Sequence, residues 1–306
     1  MLDDIILIKA DGYPTYNFAH IVDDLEMGVT HVMRGEEFIS STPKFLSLYD
    51  ALEVERPIFV TLPSIMGPDG KKKLSKRDGV KDLLDYRDDG YLPEAMKNFL
   101  ALIGWNPGGD QELYSTDDLI KTFSIDKIQK SGGAFNEEKL RWMNKEYLKK
   151  LPTSDKIDYV SKAGVDIAQL NPGQQELFTE IIMERVSNQA EISHAYEAGE
   201  YDWLSNATPY DSNLLKWKHD ESAKDALPRL EQVADLLQSA DFSSPESIKE
   251  VLWNYAEEEG KGEVLWPLRV ALSGQERSPD PFSIAFIVGR TETLVRIKNA
   301  CDKIKG

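Results

Sequence analysis

A single cysteine, Cys301, in 306 residues excludes a disulfide framework and any cysteine-based zinc site within the chain. The four histidines, His20, His31, His194 and His219, show no metal-ligand spacing among themselves, so no metal site is expected from them. No apolar run approaches the roughly 20 residues that a membrane span requires, and no membrane association is expected. The opening residues "MLDDIILIKADG" carry acids where a secretory leader would carry basic residues, and their apolar run is only four long. With one thiol and no leader pattern, a reduced cytoplasmic setting is expected. Positive charge is also scarce. The 36 Lys and Arg residues face 53 Asp and Glu, and the net charge of −17 argues against broad, nonspecific affinity for nucleic acid. Internal repeats and low-complexity stretches are lacking as well.

The remaining composition is that of a globular protein, with 41% hydrophobic and 29% charged residues, and the length suits two or three domains. Three short β-rich runs are expected as strands: Asp4 to Lys9, Val29 to Arg34, and Pro57 to Leu62. Between the last two, "PKFLSLYDAL" opens on Pro43 after Ser-Thr and spaces Phe45, Leu48, Tyr49 and Leu52 as one face of a capped helix. Strand, helix, strand in that order predicts a parallel α/β unit. Beyond about Asp85 the strand signals stop. "LPEAMKNFLALIG" starts a helix at Pro93, places Met96, Phe99, Leu100 and Ile103 on one face, and ends at Gly104. Asn136 is an N-cap for "NEEKLRWMNKEYLKKL", whose first-turn acids and last-turn lysines suit the helix dipole. From Leu151 only helices are expected, the clearest opening on Ser244 as cap and Pro245 at the first helical position.

Against this acidic background, "GPDGKKKLSKRDG" gathers five basic residues between Lys71 and Arg77 with no acid among them. A solvated loop is the ordinary explanation of such a run. A phosphate clamp is the other, and net charge does not decide between them. The Debye length is about 8 Å at physiological salt, so a bound phosphate responds mainly to nearby charges. The position favours the clamp: ligands of open α/β sheets bind beyond the carboxyl ends of strands, and this loop follows such an end. Arg34 closes another predicted strand, where a guanidinium can hold a carboxylate bidentately or simply pair with a neighbouring acid such as Glu36. By spacing alone, Tyr16 and Phe18 fit ordinary packing.

Taken together, "DGYPTYNFAHIVDDLEMGVTHVMRGEEFISSTPKFLSLYDAL", "KKKLSKRDG" and "FNEEKLRWMNKEYL" resemble the bacterial-type glutamyl-tRNA synthetases, a class I aminoacyl-tRNA synthetase family. "PLRVALSGQERSPDPFSIAFIVGRTETLVRI" is similar to that family's anticodon-binding end, so the resemblance covers essentially the whole chain. It implies a fold of α/β plus all-α type. Residues 1–88 would be the second half of a Rossmann-like catalytic domain, 89–150 a helical stem-contact region, and 151–306 a helical anticodon-binding region. It further implies that Lys73, Leu74, Ser75, Lys76 and Arg77 form the ATP-binding loop, with Lys73 and Lys76 the catalytic cations. Tyr16, His20, Arg34 and Phe38 would contact glutamate, Arg34 gripping its side-chain carboxylate and His20 standing where some members have Asn. Asp23 and Asp24 lie at a conspicuous family position, and Lys139 and Arg141 would meet tRNA phosphates. ATP and Mg2+ would be the cofactors, and tRNA and glutamate the partners.

One family element is missing from the sequence: no histidine is followed two residues later by glycine, as the His-Ile-Gly-His-like ATP-binding element requires. The first half of the nucleotide-binding fold and the acceptor-stem insertion are also not found. The chain is therefore expected to be an N-terminally truncated glutamate–tRNA ligase, inactive in aminoacylation by itself, or one partner of a split enzyme with a separate N-terminal half. The alternative is a tRNA-binding module without catalysis. Trp203, Trp217, Trp253 and Trp266 are candidates for base stacking, though most of them are expected in the core.

Overall fold

The computed structural model describes residues 4–74, 81–205 and 209–306. They form two compact units, Met1–Asn144 and Lys145–Gly306. In the first, helix α1 (Tyr16–Glu26) precedes strand β1 (His31–Gly35), helix α2 (Thr42–Ala51) and strand β2 (Ile58–Leu62). The strands pair in parallel, with His31 opposite Ile58 and Gly35 opposite Leu62, so α2 is the crossover that the sequence pattern predicts. Pro43 lies in the first turn of α2, where its missing N–H costs nothing. Ser41 makes no side-chain cap; the Thr42 hydroxyl instead donates to Phe38 O at 2.9 Å. Phe45 and Tyr49 are buried beside Ile21 of α1, whereas Leu52 falls past the helix end and stays exposed.

The segment Asp4 to Lys9 is not a strand. Its one bridge joins Ile8 to Pro14, and Ile6 and Ile8 are 70% and 58% exposed. Its backbone is spent on a tight local turn: Lys9 N donates to Tyr13 O at 2.8 Å and Thr15 N to Leu7 O at 2.7 Å. Asp11 accepts from Tyr13 N, and Gly12 takes the left-handed conformation that the turn needs (φ +85°). An apolar run supplies strand propensity, but the ladder that makes a strand has to come from a neighbour.

Helices α3 (Leu83–Asp88), α4 (Pro93–Gly104), α5 (Thr116–Thr122) and α6 (Glu137–Lys149) follow. Met96, Phe99 and Ile103 of α4 pack with Tyr86, Tyr91, Phe135, Leu140 and Met143 in a second core, while Leu100 is 41% exposed. Asn136 caps α6 as expected, accepting from Lys139 N at 3.0 Å.

The second unit is helical throughout its described residues. It comprises α7 (Thr153–Lys162), α8 (Pro172–Met183), α9 (Gln189–Glu197), α10 (Ala226–Gln238), α11 (Pro245–Glu259), α12 (Lys261–Ser273) and α13 (Pro281–Lys305). Ser244 caps α11 with Pro245 in its first turn, as the sequence indicates. The long α13 bends at Gly289 (φ +80°) and packs against α8, α10, α11 and α12. Of the four tryptophans considered for stacking, Trp203 alone is fully buried. Trp217 and Trp266 stay partly exposed with rings 5.4 Å apart, and Trp253 lies between Lys249 and Lys261 with its indole N–H on Glu257. The core therefore takes fewer of them than expected. Cys301 is buried, as a packed small residue should be.

Candidate functional site

The carboxyl end of β1 carries Arg34, and four aromatic side chains gather near it. Its guanidinium carbon lies 5.1 Å from the Phe38 ring centroid, 5.5 Å from Phe45 and 5.7 Å from Tyr16. Tyr16 stacks on His20 at 5.0 Å, and the His20 ring meets the edge of Phe45 at 4.5 Å. The local sequence explains the arrangement. Tyr16 and His20 are one turn apart on α1, Phe45 faces them from α2, and the 3-10 turn Glu36–Phe38 returns Phe38 over the strand end. Arg34, Gly35, Phe38, Thr42 and Thr61 line part of a cavity of about 260 Å³.

Arg34 is not absorbed by its acidic neighbours. Glu36 accepts from Ser64 Oγ at 2.5 Å, and Glu37 lies 3.6 Å from Lys73 Nζ. Arg34 Nη1 is buried and hydrogen-bonds to nothing among the described residues. A buried guanidinium N–H without an acceptor is costly, and three π-faces offset only part of that cost. Such a group is suited to an incoming carboxylate.

Folding favours the neutral form of His20. Burial lowers its pKa, the Arg34 charge lowers it further, and only the hydrogen bond to Tyr16 O and the Asp24 and Asp23 charges oppose this. Because a carbonyl only accepts, the 2.8 Å contact makes Nδ1 the donor and leaves Nε2 as an acceptor. A histidine whose pKa is depressed by folding adds stability that is complete above the unfolded value of about 6.5 and is lost as pH falls toward its folded pKa. In His20→Asn, the drop in thermal midpoint between pH 8 and pH 5.5 is therefore expected to be smaller than in the wild type. An equal drop in both proteins would show that His20 does not titrate this way.

The basic loop begins as an ordered turn. Gly67 N donates to Lys72 O at 2.7 Å, Leu74 N to Ile65 O at 2.8 Å, and Asp69 accepts from Lys71 N at 3.0 Å. That backbone bond holds the Asp69 carboxyl below its ordinary range. Lys72, Lys73, Lys81, Tyr86 and Glu137 line part of a cavity of about 390 Å³ beside this turn. Lys73 and Leu74 thus border an open volume, while Ser75, Lys76 and Arg77 lie outside the described residues. On α6, Lys139 pairs with Glu112, and Arg141 also has a partner, so a phosphate would have to displace existing interactions at either residue. Phe45 and Lys81 join these sites without having been singled out from the sequence, whereas Lys72 belongs to the basic run considered there as a phosphate clamp. Phe45 is indistinguishable there from a core position, and Lys81 lies on the flank of the run.

Comparison with known proteins bears on both units. The model of the class I tRNA synthetase (E and Q) catalytic domain matches residues 1–142, and that of an anticodon binding domain matches residues 130–301, more than half the chain. The chain is 41% identical over 308 residues to the glutamate–tRNA ligase of Clostridium botulinum strain Hall, covering 99% of this chain and 62% of that protein. It is 36% identical over 309 residues to the glutamate–tRNA ligase of Francisella tularensis subsp. tularensis SCHU S4, covering 99% and 64% respectively. A solved glutamate tRNA ligase from Elizabethkingia meningosepticum, in complex with its amino acid, superposes with a TM-score of 0.84 at 33% identity, over 98% of this chain and 62% of that one. The chain thus spans a little under two thirds of the length of these relatives.

Proposed function

This chain belongs to the class I tRNA synthetases of the E and Q type, with their catalytic and anticodon-binding folds, and from that premise we propose that it serves as part of a glutamate–tRNA ligase. The observation that carries the substrate is Arg34, a cation ringed by Tyr16, Phe38 and Phe45 whose buried Nη1 has no acceptor among the described residues. We assign it the side-chain carboxylate of glutamate, with Phe38 in the cavity wall and Tyr16 and His20, which pack beside Arg34 but do not line that cavity, as further contacts. Arginine suits this task because its planar fork meets both carboxylate oxygens at once.

The glutamate α-carboxylate attacks the α-phosphate of ATP and pyrophosphate leaves, giving glutamyl-adenylate; the terminal ribose hydroxyl of tRNA then attacks its acyl carbon, losing its proton, and AMP leaves. No nucleophilic side chain is needed, because positioning and charge stabilisation supply the catalysis. Lys73 and Lys76 are assigned to the phosphates, and Leu74, Ser75 and Arg77 complete the loop. Two carboxylates at the described part of the loop, Glu37 and Asp69, are already engaged by Lys73 and by backbone N–H groups, and a third, Glu137, lines the same cavity. Mg2+, if bound, would enter with ATP and would supply neutralisation of phosphate charge. Residues 89–150, with Lys139 and Arg141, are assigned to the tRNA stem and 151–306 to the anticodon.

In the complete enzyme, Lys76→Ala is expected to slow adenylate formation about tenfold or more while leaving glutamate affinity nearly unchanged, since its charge matters most as the phosphorus becomes pentavalent. Rapid-quench measurement of adenylate beside a glutamate titration checks this, and equal losses in both would remove Lys76 from the transition state. The decisive assay for the whole reading is glutamylation of tRNA by this chain, alone and mixed with the part of a relative outside the matched span. Product is expected only in the mixture. Charging by the chain alone would remove the need for a separate half, and no charging in either case would overturn the ligase reading.

A further inference from the structure

Below the rings around Arg34 lies a second layer whose chemistry is unfinished. Tyr16, His20 and Asp24 recur at four-residue intervals on α1, and Phe45 and Tyr49 do so on α2. Tyr16 stacks on His20 and His20 meets Phe45, so the next pair inward is Asp24 and Tyr49. Tyr49 is 1% exposed, within the core formed with Ile21 and Phe45. Its hydroxyl is buried without a hydrogen-bond partner among the described residues, and so are Asp24 Oδ2 and Arg34 Nη1. Each orphan has a cost, because buried polar atoms normally find partners. The three are mutually complementary: a guanidinium N–H that only donates, a carboxylate oxygen that only accepts, and a hydroxyl that does both.

Their fields already overlap. Burial raises the pKa of the Tyr49 hydroxyl, the Asp24 carboxylate raises it again, and the Arg34 charge works in the opposite direction. Asp24 is near enough to take a hydrogen bond with modest adjustment, although neither group has one of ordinary geometry here. Asp23, its neighbour in sequence, is exposed instead.

We infer that Asp24 and Tyr49 are positioning residues for Arg34: when the pocket is occupied, the Tyr49 hydroxyl donates to Asp24 Oδ2 and accepts from Arg34 Nη1. The carboxylate fixes the direction of the hydroxyl hydrogen, so the hydroxyl's lone pair is what faces the guanidinium. With that edge held, the remaining N–H groups of Arg34 are presented as a fork to the ligand. The network explains why α1 spends a carboxylate and α2 a hydroxyl in a layer that apolar side chains would fill more cheaply. It rests on the reading of the Arg34 cavity as the glutamate pocket, and the experiment separates the two.

L-Glutamate is titrated calorimetrically into the wild-type chain, Tyr49→Phe and Arg34→Ala, with thermal unfolding as the check on folding. Removing one oxygen from a ring that keeps its shape is expected to weaken glutamate binding about tenfold in Tyr49→Phe, with its midpoint nearly unchanged. In parallel, nitrogen-15 NMR of the guanidinium groups reads rotation about the Cζ–Nη bonds of Arg34, which is expected to be slower in the wild type with glutamate than in Tyr49→Phe. A merely structural tyrosine would leave that rotation untouched. Wild-type affinity in Tyr49→Phe, or identical Arg34 rotation in the two proteins, overturns the relay while leaving Arg34 in the pocket. Failure of the wild type to bind glutamate overturns the pocket reading and the relay with it, because the relay forms only on occupancy, whereas unchanged affinity in Tyr49→Phe overturns the relay alone.

Discussion

Arg34→Ala weakens glutamate binding by between about thirtyfold and a few thousandfold, the range that follows from losing a desolvated charge pair worth about 2–5 kcal/mol. The upper part of that range is favoured by the setting. The guanidinium is flanked by the faces of Tyr16, Phe38 and Phe45, and its Nη1 is shut off from water. In a surrounding of low effective dielectric, a carboxylate gains more from this cation than it would in water. The same substitution does not lower the thermal midpoint, because it removes a buried donor with no acceptor and relieves a desolvation penalty that the folded chain otherwise bears. Loss of affinity without loss of stability is the expected signature of a residue kept for its ligand rather than for the fold. Arg34→Lys recovers little, since an ammonium offers neither the planar surface that stacks on three rings nor the paired donors. Calorimetric titration and thermal unfolding of the two variants check this, and a Kd within threefold of the wild type for Arg34→Ala would remove Arg34 from the pocket.

Why was this site partly legible in the sequence? The α/β crossover announces itself because Pro43 and the spacing of Phe45, Leu48 and Tyr49 constrain one local segment, and local constraints survive in a linear string. The place of Arg34 at a strand end was legible for the same reason. Its partners were not. Glu36, next but one in sequence, looked like its natural counter-ion, yet Glu36 turns to Ser64 and Glu37 to Lys73. Those partners come from the far side of β2, and sequence proximity carries no information about them. Asp4 to Lys9 shows the converse error: the apolar run was read as a buried strand, but its backbone hydrogen bonds go to Tyr13 and Thr15 within a local turn. In the second unit, α12 carries the buried Pro267 in its interior, a residue that argues locally against a helix and is tolerated only because packing outweighs the lost hydrogen bond. The tryptophans fail as guides because adjacent residues in sequence do not tell a ring flanked by two lysine ammonium groups, as at Trp253, from one wholly buried, as at Trp203.

The largest stability loss is expected in the second unit, at Arg296. This guanidinium is 1% exposed, and its Nη1 donates to Trp203 O and to Leu272 O, each at 2.7 Å. The two carbonyls belong to separate elements, the 3-10 turn around the buried Trp203 and the last turn of α12. A carbonyl in the last turn of a helix has no intrahelical donor, and a cation there also meets the negative end of the helix dipole. Arg296→Ala strands both oxygens in the core and leaves a cavity, for a loss of about 3–5 kcal/mol. Glu292, whose carboxylate accepts from Arg296 Nε at 2.7 Å, is the obvious alternative source of that energy. It is 44% exposed, so solvent screens the pair and Glu292→Gln should cost under about 1 kcal/mol. Denaturant titration of both variants separates the two terms. Equal losses would mean that the ion pair holds Arg296 and the carbonyls follow it; a large gap would mean that α13 uses this side chain to tie the end of α12 to the Trp203 turn, fixing the frame on which the proposed anticodon surface is built.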